Sequence, residues 1–400
     1  MMKQKKYSTL QVMGPEHEFA IIDQDLKALP ISDKVIKKIH GRIVNNVQIG
    51  RCILGKELQS HVLEFKATEP FETPKVFEEV MYDAVIQILE LLQQEFDASL
   101  LGTGMHPFLE LSDARVWSHR DRRIYEAFDR IFDIHQHGWL NIQCYQLNLP
   151  FSNEQEGVIL YNQIANILPY LPAVSASSPV YESRIGRYKD NRLHFYRINQ
   201  KEVPSITGAV IPRYINSFDT YRRLTIEKYL SDLSKIGAPS FLMGDWVNSR
   251  GAIYRFDRKS IEIRIMDEQE CIKSDVALSC FIRAILRGLM EDENCFRFEL
   301  LNNDFNAIVK HGLDADVLYP NTSTAREVCW HLYKIARDYS TDEERDYLKI
   351  VRERIRYGSL SDLIVKQIKE KSKSKKTCSD ALFSVYSSLS ECLSNNKVFQ

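Results

Sequence analysis

The chain has 400 residues, 44% of them hydrophobic and 27% charged, the make-up of an ordinary globular protein with a large core. Its 53 Lys and Arg balance 54 Asp and Glu, which excludes a global basic surface for nucleic acid. No apolar run approaches the roughly 18 residues of a membrane helix, and the basic start Met1–Tyr7 leads into no apolar signal core. The 8 cysteines are scattered and form no C-x-x-C pair, which argues against a disulfide framework or zinc site. A cytoplasmic protein with neither nucleic-acid nor membrane partners is expected.

In chain order, alternation predicts strands over Tyr7–Asp23, Val62–Thr68, Leu100–Gly104 and Trp139–Phe151, and a hairpin over Ala252–Asp267. A helix is predicted from Thr73-Pro74, a cap residue followed by proline at the first helical position. Phe77, Val80, Met81, Ala84, Val85 and Ile88 follow it at helical spacing. Further helices are predicted over Glu154–Leu168, Ser217–Ser234 and Ser274–Met290. After about residue 270 the strands stop, and Phe296–Gly312, Thr324–Asp338 and Asp342–Tyr357 read as amphipathic helices. Residues 366–400 open with a lysine-serine run, Lys369–Lys376, and read as a solvated, partly disordered tail.

Side chains alternate faces along a strand. Glu16 and Glu18 therefore share a face opposite Phe19 and Ile21. Glu64, Lys66 and Thr68 oppose Leu63, Phe65 and Ala67. Glu262 and Arg264 oppose three isoleucines, and Gln146 and Asn148 oppose Tyr145, Leu147 and Leu149. The parity of this last strand shifts near Cys144, as a bulge would produce. Each polar face alone is what a half-exposed antiparallel strand carries. Together they hold many carboxylates, which on adjacent strands repel unless cations separate them. Mg²⁺ prefers such oxygen ligands and joins them to substrate phosphates.

Gly102-Thr103-Gly104-Met105-His106-Pro107 lacks the spacing and lysine of a phosphate-binding loop and reads as a tight turn placing His106. Ser175–Pro179 precedes Arg184, Arg187 and Arg192, which suit a phosphate or carboxylate clamp and equally a solvated basic loop. G-x-S-x-G, H-E-x-x-H and G-x-G-x-x-G are absent.

Several segments in order resemble the type 2 glutamate–cysteine ligase family of carboxylate–amine ligases. They are Gly14–Phe19, Glu57-Leu58-Gln59-Ser60 with Glu64 and Thr68, Gly102–Phe108, Ala173–Pro179, Ser260–Asp267 and His311–Ala315. The resemblance implies the α+β fold of the glutamine synthetase catalytic type. Its curved, mainly antiparallel sheet has helices packed on one side and a helical C-terminal region. It implies a catalytic domain over residues 1–320 with a helical extension over 321–365. It further implies an enzyme that uses ATP and Mg²⁺ or Mn²⁺ to join a carboxylate to an amine, both small molecules and most naturally amino acids. Glu16, Glu18, Glu64 and Glu262 would hold metal, and Arg264 would meet the transferred phosphoryl group. Glu57 is a candidate base. Gln146, Asn148, Arg184, Arg187, Arg250, Arg255 and His106 are candidates for binding ATP or substrate. Family members carry an H-x-H pair where this chain has Gln146-Leu147-Asn148, which puts cysteine as acceptor in question. A phosphotransferase on the same fold, or a catalytically silent binding protein, are the competing readings, and a homo-oligomer is left open.

Overall fold

The computed structural model describes residues 7–292, 295–374 and 377–400. The basic start Met1–Lys6, and Lys375 and Lys376 of the lysine-serine run, lie outside the described residues. The centre is an antiparallel sheet of eight strands: β1 (Gly14–Ile22), β2 (Asn46–Ile49), β3 (Cys52–Lys56), β4 (Val62–Ala67), β5 (Ser99–Leu101), β6 (Cys144–Pro150), β9 (Ala252–Arg255) and β10 (Ser260–Asp267). A separate ribbon pairs β7 (Val180–Tyr181) with β8 (Arg184–Ile185). The sheet order is β2-β3-β4-β1-β6-β10-β9, with β5 continuing the edge of β1 beyond β6.

One face is dry. Ile261, Ile263, Ile265, Tyr145, Leu147 and Phe19 are fully buried there. Helices Pro74–Phe96, Glu154–Ile167 and Ile272–Leu289 pack behind the sheet. Pro74 opens the first of these, and Phe77, Met81, Val85 and Ile88 form its buried stripe. Helices Ala325–Tyr339 and Asp342–Tyr357 start with capping boxes, Thr324 with Glu327 and Thr341 with Glu344, and both pack on Ile272–Leu289.

Three expectations are corrected. The first strand starts at Gly14, not Tyr7, because Leu10 takes a left-handed conformation (φ 61) inside a turn. The segment from Trp139 is no continuous strand: His137–Leu140 form a helical turn and pairing begins at Cys144. The register irregularity sits across the ladder on β10, between Ile263 and Met266. The third concerns the tail, which is two helices, Leu360–Ser372 and Cys378–Asn395. Leu382, Val385, Tyr386 and Leu389 recur at helical spacing and are buried with Ile364 and Ile368 against Ile22, Leu26 and Leu101.

Candidate active site

The polar faces of β4, β1, β6 and β10 become one surface through their registers. Glu18 faces Glu64, and Glu16 faces Lys66 on one side and Gln146 on the other. Asn148 faces Gly14 on one side and Glu262 on the other. Glu16, Glu18, Glu64 and Glu262 are all buried. Glu57, one residue past β3, joins them because the β3–β4 ladder ends beside Glu64.

The carboxylates divide by partner. Glu262 is bound by Arg255 through two bonds, Nε to Oε2 at 2.6 Å and Nη2 to Oε1 at 2.9 Å, and Arg264 Nε lies 3.3 Å from Oε1. Glu16 accepts from Arg258 at 2.7 Å and from Asn148 at 3.1 Å, and Lys66 Nζ lies 3.3 Å away. Burial alone would raise the Glu16 carboxyl, but Lys66 and Arg258 outweigh it and hold it at about 2.

Glu64 meets Lys66 Nζ at 2.7 Å and also converges with Glu18 and Glu57. One oxygen from each lies within 4.8 Å of the other two. Burial pushes Glu18 up to about 7, and Glu64 adds to it. Burial pushes Glu57 up to about 7 as well, with Glu18 adding to it. Glu18 accepts from the Cys144 N–H at 2.8 Å and from Gln146 Nε2 at 3.2 Å. Converging carboxylates raised by burial and by each other are stabilised by a cation, and an all-oxygen donor set suits a hard divalent ion such as Mg²⁺.

Glu18, Glu57, Cys144, Arg192 and Arg264 border a cavity of about 260 Å³. Phe128, Trp139, Tyr196 and Trp246 give its lining an aromatic wall. Arg192 is buried and donates to Asp267 and to the Ile265 carbonyl, so its guanidinium is fixed rather than free to sweep. Arg264 donates to the Asn248 carbonyl at 2.9 Å.

The two small-residue loops brace β10. A Cβ on Gly104 would stand 2.2 Å from Asp267 Cγ, so only glycine fits. Ser177 donates its N–H to Asp267 at 2.8 Å and its hydroxyl to the Glu268 carbonyl at 2.7 Å. Behind β1, Glu268 accepts the Glu18 N–H at 2.8 Å and meets His17 at 3.1 Å, and His17 in turn lies 3.5 Å from Asp275. This second acidic group is wholly buried on the dry side and fixes the backbone that carries Glu18.

Other predicted residues are placed elsewhere. His106 is fully buried, stacked edge-on with His61 and Phe108, outside the cavity lining, and burial pushes it down to about 3. Arg184 is exposed and paired with Glu182, and Arg187 is exposed. Arg250 donates to the Ile206 carbonyl and Asn248 and does not line the cavity. Sequence reasoning passed over Lys66, Cys144, Arg258 and the aromatic wall as site residues. Lys66 was on the right face by alternation alone. The wall comes from segments far apart in the chain, and nothing local marks it.

Comparison with known proteins agrees with this architecture. A model of glutamate-cysteine ligase family 2 matches residues 12–377. An uncharacterized protein of Archaeoglobus fulgidus is 47% identical over 97% of this chain and 100% of its own length. Among solved structures, glutamate–cysteine ligase from Francisella tularensis in complex with AMP aligns with TM-score 0.66 at 12% identity, covering 98% of this chain and 90% of that one. A bifunctional glutathione synthetase from Pasteurella multocida aligns with TM-score 0.63 at 13% identity over 96% of this chain and 53% of that one. At these identities the structural likeness speaks for the fold, while the family match spans nearly the whole chain: the protein belongs to glutamate-cysteine ligase family 2.

Proposed function

We propose that the protein is an ATP-dependent carboxylate–amine ligase working through an acyl phosphate. The observation that carries this reading is the Glu18–Glu57–Glu64 cluster opening beside Arg264 onto an amino-acid-sized cavity. A divalent ion held by that cluster would neutralise ATP phosphates and set the γ-phosphate in line.

The chain's own groups supply the rest. A substrate carboxylate oxygen forms a bond to the γ-phosphorus as the bond to the β-bridging oxygen breaks, releasing ADP. Arg264, at the cavity edge, stabilises the charge on the transferred group. The amine nitrogen then bonds to the acyl carbon, and phosphate leaves. The proton shed by the amine passes to the Glu57 carboxylate, which borders the cavity. The aromatic wall excludes water, which would otherwise hydrolyse the acyl phosphate.

The substrates are read as small carboxylates and amines, amino acids foremost. Gln146 and Asn148 spend their amide donors on Glu18 and Glu16. They therefore position carboxylates instead of offering imidazole nitrogens, and γ-glutamylcysteine is one candidate product among several. An ADP-release screen over carboxylate and amine pairs with Mg²⁺ tests the reading. Release that needs both partners supports a ligase; release with a carboxylate alone, leaving a stable phosphorylated product, supports a phosphotransferase.

A further inference from the structure

We infer that Lys66 is a tethered cation bridging Glu16 and Glu64, so that this sheet face takes up one divalent ion fewer than its carboxylates could otherwise hold. The inference rests on the ligase reading for its metal cluster, but its own support is the geometry of β1 and β4.

Lys66 is the cross-strand partner of Glu16 and lies two residues beyond Glu64 on the same face. Those positions put the three side chains within reach of one another. The ammonium lies 2.7 Å from Glu64 Oε2 and 3.3 Å from Glu16 Oε2. The other Glu16 oxygen is taken by Arg258, from the turn between β9 and β10, and by Asn148. Both oxygens of Glu16 are therefore engaged by groups of this chain.

Two buried carboxylates sharing a neighbour position would repel or draw in a divalent ion. Here the backbone register delivers a monovalent cation to that position. The charge there is permanent and independent of metal concentration, and it leaves the Glu18–Glu57–Glu64 cluster for the divalent ion. Glu16 is then a positioning residue that holds Lys66 and Arg258 in place. The resemblance assigns it to metal; the geometry assigns it to protein cations.

The test counts Mn²⁺ ions bound by the full-length chain, by electron paramagnetic resonance of the free ion, with circular dichroism recorded to establish folding. Glu16→Gln should leave the count unchanged, and Lys66→Arg should as well. Lys66→Met should raise it by about one per chain, because Glu64 and the second Glu16 oxygen then lose their shared cation. The double variant Glu16→Gln/Lys66→Met should return it to the wild-type value. Loss of an ion in Glu16→Gln, or no gain in a folded Lys66→Met, would overturn the inference. If Lys66→Met does not fold, Glu16→Gln and Lys66→Arg decide it alone. Glu18→Gln measures the metal cluster separately: retention of every ion there would count against the ligase reading, leaving the Lys66 result to stand on its own variants.

Discussion

Arg255 and Glu262 form a forked pair on adjacent strands, with two parallel bonds of 2.6 and 2.9 Å and a carboxylate fully withdrawn from solvent. Glu262→Gln therefore does more than delete a charge on the sheet face. It leaves the Arg255 and Arg264 guanidiniums short of a partner, and breaking a buried pair from one side costs about 3–5 kcal/mol. Urea denaturation should show that loss together with lower ADP release. An unchanged midpoint would mean that Glu262 is not paired as described.

Arg264 separates charge balance from phosphoryl contact. Lysine keeps the charge and loses the planar fork. With Arg264 on the transferred group, Arg264→Lys should slow single-turnover ADP formation by roughly 10- to 1,000-fold, about 1.4 to 4 kcal/mol of barrier. A wild-type rate would leave only a structural role.

Glu18 and Glu57 give the pH dependence. Both carboxyls are raised to about 7, and only the deprotonated form binds metal. Mn²⁺ affinity should rise from about pH 6 to about pH 8. For stability the sign reverses. The folded state keeps protons that the unfolded chain, at the usual 4.5, has released. The stabilisation is thus full below about 4.5 and is lost as pH rises towards 7. Melting in EDTA should show a fall over that window that is smaller in Glu18→Gln and reduced by added Mg²⁺. An equal fall in the variant would contradict this assignment.

The C-terminal helix tests the corrected tail. Leu389 is fully buried beside Ile22 and Leu101. Leu389→Ala should cost about 2–5 kcal/mol in urea denaturation. A cost under about 0.5 kcal/mol, usual for a surface site, would restore the solvated tail.

The sheet was legible where alternation was clean. Glu16, Glu18, Glu64 and Glu262 fell on one predicted face because each lies within an uninterrupted strand. Reading failed where local composition and tertiary burial disagree. Lys369 and Lys371 sit in the last turn of one helix, and the lysine-rich composition around them masked the stripe from Leu382 to Leu389. The hairpin of β2 and β3, which sets Glu57 beside Glu64, is short and was not predicted. Which carboxylates share Lys66 depends on the register of β1 with β4, a long-range property that no window of sequence displays.

The most direct measurement follows the carboxylate oxygen. A productive substrate pair is run with the carboxylate labelled with ¹⁸O, and nucleotide and phosphate are analysed by mass spectrometry. The acyl-phosphate route predicts ADP, an amide, and phosphate carrying one oxygen from the carboxylate. Label in AMP with release of pyrophosphate, or unlabelled phosphate beside an amide, would contradict it.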